Sequence, residues 1–368
     1  MWNSVVLGNP SGRELHAPAA VREQLAVESL WAGLATMRAA VSHILQRIAD
    51  ALEPALPPPT QRESELISAL RATIRALPPL APISETASEA EWVGNANRLR
   101  TLVLKDDPRR FLRWDVVRRT MFVGNARYIR HELAHLKSRP DWAVRWQPAI
   151  RESTAGRPLA YGGYVQSSAN LIHHAYHLAR FEEITRVPVT DFHSVVEFGG
   201  GYGSMCRLFR NLGFTGRYVI YDLAQMCALQ EFYLKCLGLP ASMSVGQEQS
   251  QAPISCISHL DLLSQLVSEG AVAARSLFLA TWSLSETPVE LRNTLLPLAQ
   301  DFHGFLIAFQ HRFGEVDNAE FFRRFRESHD SVRFYSVPIH HLPGHEYLFG
   351  VREPSRGPDE SVAGLRAR

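Results

Sequence analysis

The first 150 residues carry apolar side chains at every third or fourth position, which is the period of an amphipathic helix. This spacing predicts helices over residues 20–52, 63–76 and 115–136, and another that begins at residue 88 or 89. Proline-rich stretches separate the three helices that come first in the chain, because proline lacks the amide hydrogen that a helix interior needs. We therefore expect residues 1–150 to form an all-helical cap or oligomerisation domain.

The pattern changes near residue 166, where one more helix (166–186) is followed by alternating strand and helix signals. Short apolar stretches predict seven strands, over residues 193–198, 217–222, 241–245, 276–282, 304–310, 332–338 and 346–351. Amphipathic stretches predict helices between them, over residues 203–212, 223–237, 260–268, 288–300 and 318–328. Such alternation is typical of a parallel sheet with helices on both faces.

The predicted fold class is therefore α/β, with a Rossmann-like sheet over residues 151–353. Only a short loop separates the last two predicted strands, which predicts an antiparallel hairpin at one edge of the sheet. Residues 354–368 are polar and contain glycine and proline, so we expect a disordered tail there.

Composition narrows the class of partner. The formal net charge is only +2 over 368 residues, whereas nucleic-acid-binding domains concentrate much more positive charge, so we expect no nucleic acid partner. The chain shows neither 18 uninterrupted apolar residues nor a basic segment followed by an apolar run, so we expect no membrane span and no secretion signal. The four cysteines have no CxxC spacing, which favours free thiols in a cytoplasmic protein.

A glycine-rich turn follows the first predicted strand. The run EFGGGYG extends from Glu197 to Gly203 and leads into a predicted helix. Glycines allow a tight turn and a close approach of the backbone to a ligand. A dinucleotide-binding turn would carry a third motif glycine where Ser204 stands. Glu197 lies two positions before Gly199, where a carboxylate suits the ammonium group of an amino-acid cofactor better than a pyrophosphate.

Asp222 ends the second predicted strand, nineteen residues after Gly203. A carboxylate at this position can accept hydrogen bonds from both hydroxyls of a ribose, in a dinucleotide or in another nucleoside cofactor. The alternative is that Asp222 only caps the following helix.

Together these residues resemble the class I S-adenosylmethionine-dependent methyltransferases, over roughly residues 160–352. The resemblance implies S-adenosyl-L-methionine as the cofactor, with its methionine part at the glycine turn and its ribose at the acid after the second strand. The cofactor-binding residues that it implies are Glu197, Gly199, Gly200, Gly201, Gly203, Asp222 and Leu223, with His259 and Asp261 for the adenine, Thr281 and Trp282 facing the sulfonium, and Tyr164 and Gln166 closing over the cofactor.

A narrower resemblance concerns the acceptor. The runs ESTAGRP (152–158), QSS (166–168), EFGGGYG, IYDLAQMCALQEFYL (220–234) and TWSLSE (281–286) are similar to those of sugar O-methyltransferases from polysaccharide and natural-product clusters. This resemblance implies a hydroxyl of a sugar or other small molecule as the acceptor. A carboxylate, nitrogen or non-sugar hydroxyl acceptor, and a non-catalytic cofactor-binding subunit, are the alternatives.

Two residues near the ends of the fourth and fifth predicted strands are candidates for chemistry. His311 is the candidate general base, because an imidazole titrates near neutral pH, and Glu286 could orient it or bind a substrate hydroxyl. Either residue could instead simply end a strand or start a helix. The histidines at 340, 341 and 345 in the last loop could line the same mouth, and those at 173 and 177 are expected to pack at the cap interface.

A rival motif lies in the helical half. His131, Glu132 and His135 match HExxH, in which two histidines on one helix face bind zinc and the glutamate activates water. A zinc hydrolase would need a third ligand, and Glu152 lies in a loop rather than on a clear helix. We interpret the motif as coincidental and predict no metal site. The N-terminal helices are the predicted surface for a homodimer.

Overall fold

The computed structural model describes residues 55–81, 87–244, 252–270 and 275–352. The chain divides into two compact units, Met1–Thr60 and Gln61–Arg368, and every element described below belongs to the second. The helix predicted over residues 20–52 and the tail predicted over residues 354–368 lie outside the described residues.

The described part of the chain begins with helices that precede the sheet. They are α1 (Gln61–Ala76), α2 (Ala87–Lys105), α3 (Asp115–Thr120), α4 (Ile129–Ser138) and the single turn α5 (Gln147–Ala149), with a 3₁₀ segment at Pro108–Arg113 and a π-helical turn at Trp142–Trp146. The single helix predicted over residues 115–136 is wrong, since α3 and α4 are separate. Between them the backbone amide of Val123 donates to Oδ1 of Asn170, and the side chain of Asn125 accepts from the amide of Gly162. These contacts with distant residues hold the intervening segment out of a helix.

A small hairpin and a long helix lead into the sheet. Strands β1 (Ala160–Tyr161) and β2 (Tyr164–Ser168) pair antiparallel, and α6 covers Ala169–Thr185. The prediction started this helix at residue 166, but Ser168 is its N-cap, with its hydroxyl accepting from the amide of Leu171 at 3.1 Å. Residues 166–168 belong to the hairpin instead.

Among the described residues, eight strands form the central sheet. They are β3 (Ser194–Phe198), β4 (Arg217–Tyr221), β5 (Ala241–Met243), β6 (Ile254–Ile257), β7 (Ser276–Thr281), β8 (Gly304–Gln310), β11 (Val332–Pro338) and β12 (His345–Arg352). A two-residue ladder, β9 (Arg312–Phe313) with β10 (Val316–Asp317), follows β8. The helices in this part are α7 (Ser204–Asn211), α8 (Ala224–Cys236), α9 (Leu260–Ser268), α10 (Val289–Leu295) and α11 (Asn318–Glu327).

The order across the sheet is β11-β12-β8-β7-β3-β4-β6-β5. The six strands β8, β7, β3, β4, β6 and β5 run parallel to one another, whereas β12 is antiparallel to both β8 and β11. This arrangement confirms the predicted Rossmann-like class with an antiparallel last strand, and it confirms the hairpin at one edge.

One strand was not predicted. The buried strand β6 has only four residues, Ile254–Ile257, and Ser255 interrupts its apolar pattern, so the sequence signal for a strand is short there. It takes the place beside β4, so the predicted strand at residues 241–245 becomes the short edge strand β5.

The core lies on both faces of β3, all five residues of which are buried. Successive strand residues point to opposite faces, so Val195 packs in a cluster with α6, α7 and α8. Val196 and Phe198 pack in a second cluster with α9 and α11. The carboxyl ends of the parallel strands therefore lie between two packed layers, at the edge where such sheets bind ligands.

The helices α1 to α5 belong to the same compact unit as the sheet. For example, the guanidinium of Arg62 in α1 donates a hydrogen bond to the carbonyl oxygen of Lys235 in α8. The functional division of the chain at residue 150 stays a prediction. In the described ranges, none of the helices has the length and apolar character needed to cross a bilayer.

Candidate functional site

The glycine-rich turn joins β3 to α7 in a conformation that glycine allows. Gly199, Gly201 and Gly203 have φ angles of 70°, 57° and 90°, in the left-handed region that other residues rarely adopt. A Cβ added at Gly199 would overlap the side chain of Ser283, and one added at Gly200 would lie 2.6 Å from Cγ2 of Ile220. Ser283 and Ile220 therefore pack against the turn so closely that Gly199 and Gly200 have no room for a side chain.

The residues after β7 fix the turn from the neighbouring strand. The hydroxyl of Ser283 donates to the carbonyl oxygen of Phe198. Trp282 has a φ of 63°, a strained value for a bulky residue. Its backbone amide donates to Ala308 and its indole Nε1 donates to Nδ1 of His345, each at 2.7 Å. These bonds hold the tryptophan ring at the carboxyl ends of the central strands.

Asp222 follows β4 and lies beside the turn. Its Oδ1 accepts from the amide of Leu223 and its Oδ2 accepts from Nε2 of Gln230, both at 2.8 Å. Burial raises the pKa of Asp222 to about 7, although these hydrogen bonds and those from the backbone of Gly201 and Gly200 act to lower it. The structure thus brings the predicted ribose anchor and the glycine turn together.

Gln230 is a candidate site residue that sequence reasoning missed. Its amide also donates to the carbonyl oxygen of Gly201 at 2.9 Å, so it links the turn to Asp222. Its Oε1 is buried and has no hydrogen-bond partner within the described ranges. Buried polar atoms normally have partners, so this oxygen fits a ligand hydroxyl next to Asp222. The available signal was a glutamine on the buried face of an otherwise largely apolar helix.

Glu197 lies beneath the turn rather than on its open side. It is 3% exposed, and its Oε2 accepts from the hydroxyl of Tyr218 at 2.8 Å. Burial raises the pKa of Glu197 to about 8. A Cβ added at Gly200 would lie 3.0 Å from the same oxygen. Its predicted contact with a cofactor ammonium group stays a prediction.

The remaining predicted cofactor residues fall in two places. His259 and Asp261 are exposed and follow β6, next to Asp222, whose amide donates to Ile257. Thr281 is the last residue of β7. In contrast, the hydroxyl of Tyr164 donates to Oε1 of Gln166 within β2 at 3.1 Å, and the Tyr164 ring packs on Trp142.

The two predicted catalytic residues follow adjacent strands. Glu286 ends the 3₁₀ turn Ser283–Glu286 after β7, and burial raises its pKa to about 7. His311 follows β8 with its side chain 46% exposed, and its Nε2 lies 3.1 Å from Oε2 of Glu346. Glu346 also lines a cavity of about 300 Å³ between α11 and the β8–β12–β11 edge, away from the glycine turn.

A buried arginine holds the segment that carries Glu286. The guanidinium of Arg292 donates to the carbonyl oxygens of Ser285 and Thr287 and to Oδ1 of Asn318. Arg292 is 0% exposed. Burial lowers its pKa to about 10, so it stays charged at neutral pH. These bonds fix the loop after β7 to the start of α11.

Glu132 of the HExxH match is fully buried and faces two histidines. Its Oε1 lies 2.8 Å from Nδ1 of His173 and 2.8 Å from Nε2 of His341. His131 is exposed, and His135 lies 3.4 Å from Glu183. In the described part of the chain no three His, Cys, Asp or Glu side chains converge as metal ligands. The motif residues therefore do not assemble the ligand set that a zinc hydrolase needs.

His173 and its neighbour His177 pack against the ring of Trp282. The ring of His173 stacks on Trp282 with centroids 5.4 Å apart, and the ring of His177 lies 4.1 Å from that of His173. Nδ1 of His177 hydrogen-bonds the hydroxyl of Tyr347 at 2.6 Å.

No protein-family model matches the chain, and no curated protein matches it. Solved structures that resemble it include the precorrin-6y C5,15-methyltransferase of Geobacter metallireducens (TM-score 0.33, 11% identity, 56% of this chain and 99% of that chain). Others are the magnesium protoporphyrin IX methyltransferase of Synechocystis with bound SAH (0.32, 12%, 49% and 83%) and the methyltransferase domain of bacterial CtHen1 (0.34, 12%, 47% and 97%). The assignment of the fold rests on the strand order of the sheet itself.

Proposed function

We propose that this chain is an S-adenosylmethionine-dependent methyltransferase. The observation that carries the proposal is the joining of two anchors at the carboxyl ends of β3 and β4. The glycine turn and Asp222 meet there, and Gln230 bonds to both. Carboxyl ends of parallel strands are where sheets of this class bind nucleoside ligands.

The residues present fit this cofactor. Asp222 and the buried Oε1 of Gln230 supply acceptors for ribose hydroxyls, and the backbone of Gly199 and Gly201 leaves room for a close approach. His259 and Asp261 would bind the adenine, and Trp282 would face the reacting end. The cofactor, once bound, supplies an electrophilic methyl group on a sulfonium.

The acceptor in this proposal is a hydroxyl of a sugar or other small molecule. Attack by a hydroxyl needs a group that orients it and removes its proton. Glu286, whose pKa is about 7, lies in the turn after β7, and His311 lies directly after β8. The similarity of the TWSLSE and ESTAGRP runs to sugar O-methyltransferases supports this acceptor class. In this proposal the N-terminal helices cap the acceptor or form a homodimer. The protein is cytoplasmic and its reaction needs no metal.

Methyl transfer to a panel of acceptors tests the proposal. The full chain is incubated with S-adenosylmethionine carrying a labelled methyl group and with methyl glycosides, nucleotide sugars, carboxylic acids and amines. We expect label in a glycoside or nucleotide sugar, and none with the Asp222→Ala variant. Label only in an acid or amine would overturn the hydroxyl acceptor, and cofactor binding without label in any class would favour a non-catalytic subunit.

A further inference from the structure

We propose that His173, oriented by Glu132 and His341, is the general base that accepts the proton of the acceptor hydroxyl. This inference rests on the proposed methyltransferase function and names the proton acceptor that the function requires. The three residues come from α4, α6 and the loop between β11 and β12, so they meet only in the folded chain.

Glu132 is an ionised carboxylate in this arrangement. Burial alone would raise the pKa of Glu132, but His173 and His341 hold it below its usual value. A carboxylate can only accept hydrogen bonds. Both histidines must therefore donate to it, His173 from Nδ1 and His341 from Nε2.

The tautomers follow from these donors. A general base must be neutral, and a neutral imidazole carries one proton, so in that form His173 keeps a lone pair on Nε2 and His341 keeps one on Nδ1. A carboxylate that binds Nδ1–H and leaves Nε2 unprotonated is the arrangement that orients a catalytic histidine in hydrolases. The ring of His173 is further fixed by its stacking on Trp282.

A short chain of contacts places His173 near the glycine turn. Gly199 packs against Ser283, the next residue along from Trp282, and Trp282 stacks on His173. The side chain of Asn170, one turn earlier on α6, donates to the hydroxyl of Tyr202 within the turn at 2.9 Å. His173 is thus connected to the turn through Trp282 and Ser283, and Asn170 joins the same helix to the turn.

Exposure favours His173 over His311 for this role. The side chain of His173 is 5% exposed and that of His311 is 46% exposed. A buried base is shielded from bulk water, so its hydrogen bonds and charges act more strongly. His311 also follows β8, which lies one strand further from β3 than β7 does.

Charge and atoms balance in the proposed step. The acceptor hydroxyl gives its proton to Nε2 of His173 while its oxygen forms the bond to the methyl carbon. The sulfur keeps the electron pair of the broken carbon–sulfur bond, so the positive charge passes from the sulfonium to the imidazolium. Glu132 stabilises that imidazolium, which later releases its proton to water.

Nitrogen-15 NMR of the histidine rings tests the geometry without an acceptor. The full chain, labelled at histidine nitrogens, is measured at mildly alkaline pH with saturating S-adenosylhomocysteine, and signals are assigned with His173→Ala and His341→Ala. We expect His173 as the Nδ1–H tautomer and His341 as the Nε2–H tautomer. We expect Glu132→Gln to abolish this preference, and His193→Ala, an exposed position at the amino end of β3, to leave it unchanged. The opposite tautomer at His173 overturns the proposal.

Chemical rescue tests the role in catalysis. With the glycoside or nucleotide sugar that the wild type methylates, His173→Ala should lower kcat by about 10²–10⁴-fold. Added imidazole should restore part of the loss, whereas S-adenosylhomocysteine affinity should stay within about threefold. A loss that imidazole does not rescue, with reduced ligand affinity, would assign His173 a structural role. Failure of wild type to bind S-adenosylhomocysteine would sink the proposed function itself, which distinguishes the two failures.

Discussion

The side-chain amide of Gln230 lies 2.8 Å from Oδ2 of Asp222 and 2.9 Å from the carbonyl oxygen of Gly201. One residue of α8 therefore sets the position of the glycine turn and of the carboxylate after β4. The two anchors belong to different strands, and this bridge fixes the distance between them.

Removing this bridge should weaken cofactor binding. We expect Gln230→Ala to raise the Kd for S-adenosylhomocysteine about tenfold or more, because a hydrogen bond to a charged group contributes about 1.5–3 kcal/mol. Calorimetric titration measures the change. The control is Gln225→Ala, another buried glutamine of α8 whose amide donates to Pro78 instead. Equal effects of both variants would contradict the bridging role.

The packing of the turn predicts a second effect. Gly199→Ala should lower the free energy of unfolding by about 1–3 kcal/mol from backbone strain, with a further loss from overlap with Ser283. It should also abolish S-adenosylhomocysteine binding. Gly213 has a φ of 93° and no atoms near an added Cβ, so Gly213→Ala should share the strain and keep the affinity. Urea unfolding and calorimetry together separate strain from contact.

The buried carboxyl of Glu197 predicts a pH dependence of stability. Its pKa rises from 4.5 to about 8 on folding, so the folded chain binds more protons than the unfolded chain between these values. The free energy of unfolding should therefore fall as pH rises through this window, by about 1.4 kcal/mol per pH unit from this group. In urea unfolding from pH 5 to 9, Glu197→Gln should show a shallower decline than the wild type. Parallel curves would contradict the assignment.

The bonds of Arg292 predict a stability effect at the other end of the site. Arg292→Met leaves the carbonyl oxygen of Thr287 and Oδ1 of the buried Asn318 without their Arg292 donor, and each such loss costs about 1–3 kcal/mol. Thermal unfolding should show a clear drop in Tm. Arg326→Met, on the exposed face of α11, should leave Tm nearly unchanged. A similar Tm for both variants would show that the buried network contributes little.

Motifs made of consecutive residues could be predicted from the sequence, whereas contacts between residues far apart in the sequence could not. The glycine turn and Asp222 each depend on a few consecutive residues after a strand, so their pattern predicts their place. Glu132 pairs with His173, 41 residues away, and with His341, 209 residues away. Such partners are chosen by tertiary packing, which periodicity does not encode. For the same reason, contacts with Asn170 end α3 within a stretch whose period is helical throughout.

The most direct measurement of the central claim is calorimetric titration of the full chain with S-adenosylhomocysteine, for the wild type and for Asp222→Ala. We expect one site per chain in the wild type and a loss of affinity of about tenfold to a hundredfold in the variant, because the ribose loses its charged acceptor. A wild type that gives no binding heat at any temperature, and whose Tm the ligand does not raise, would contradict the account.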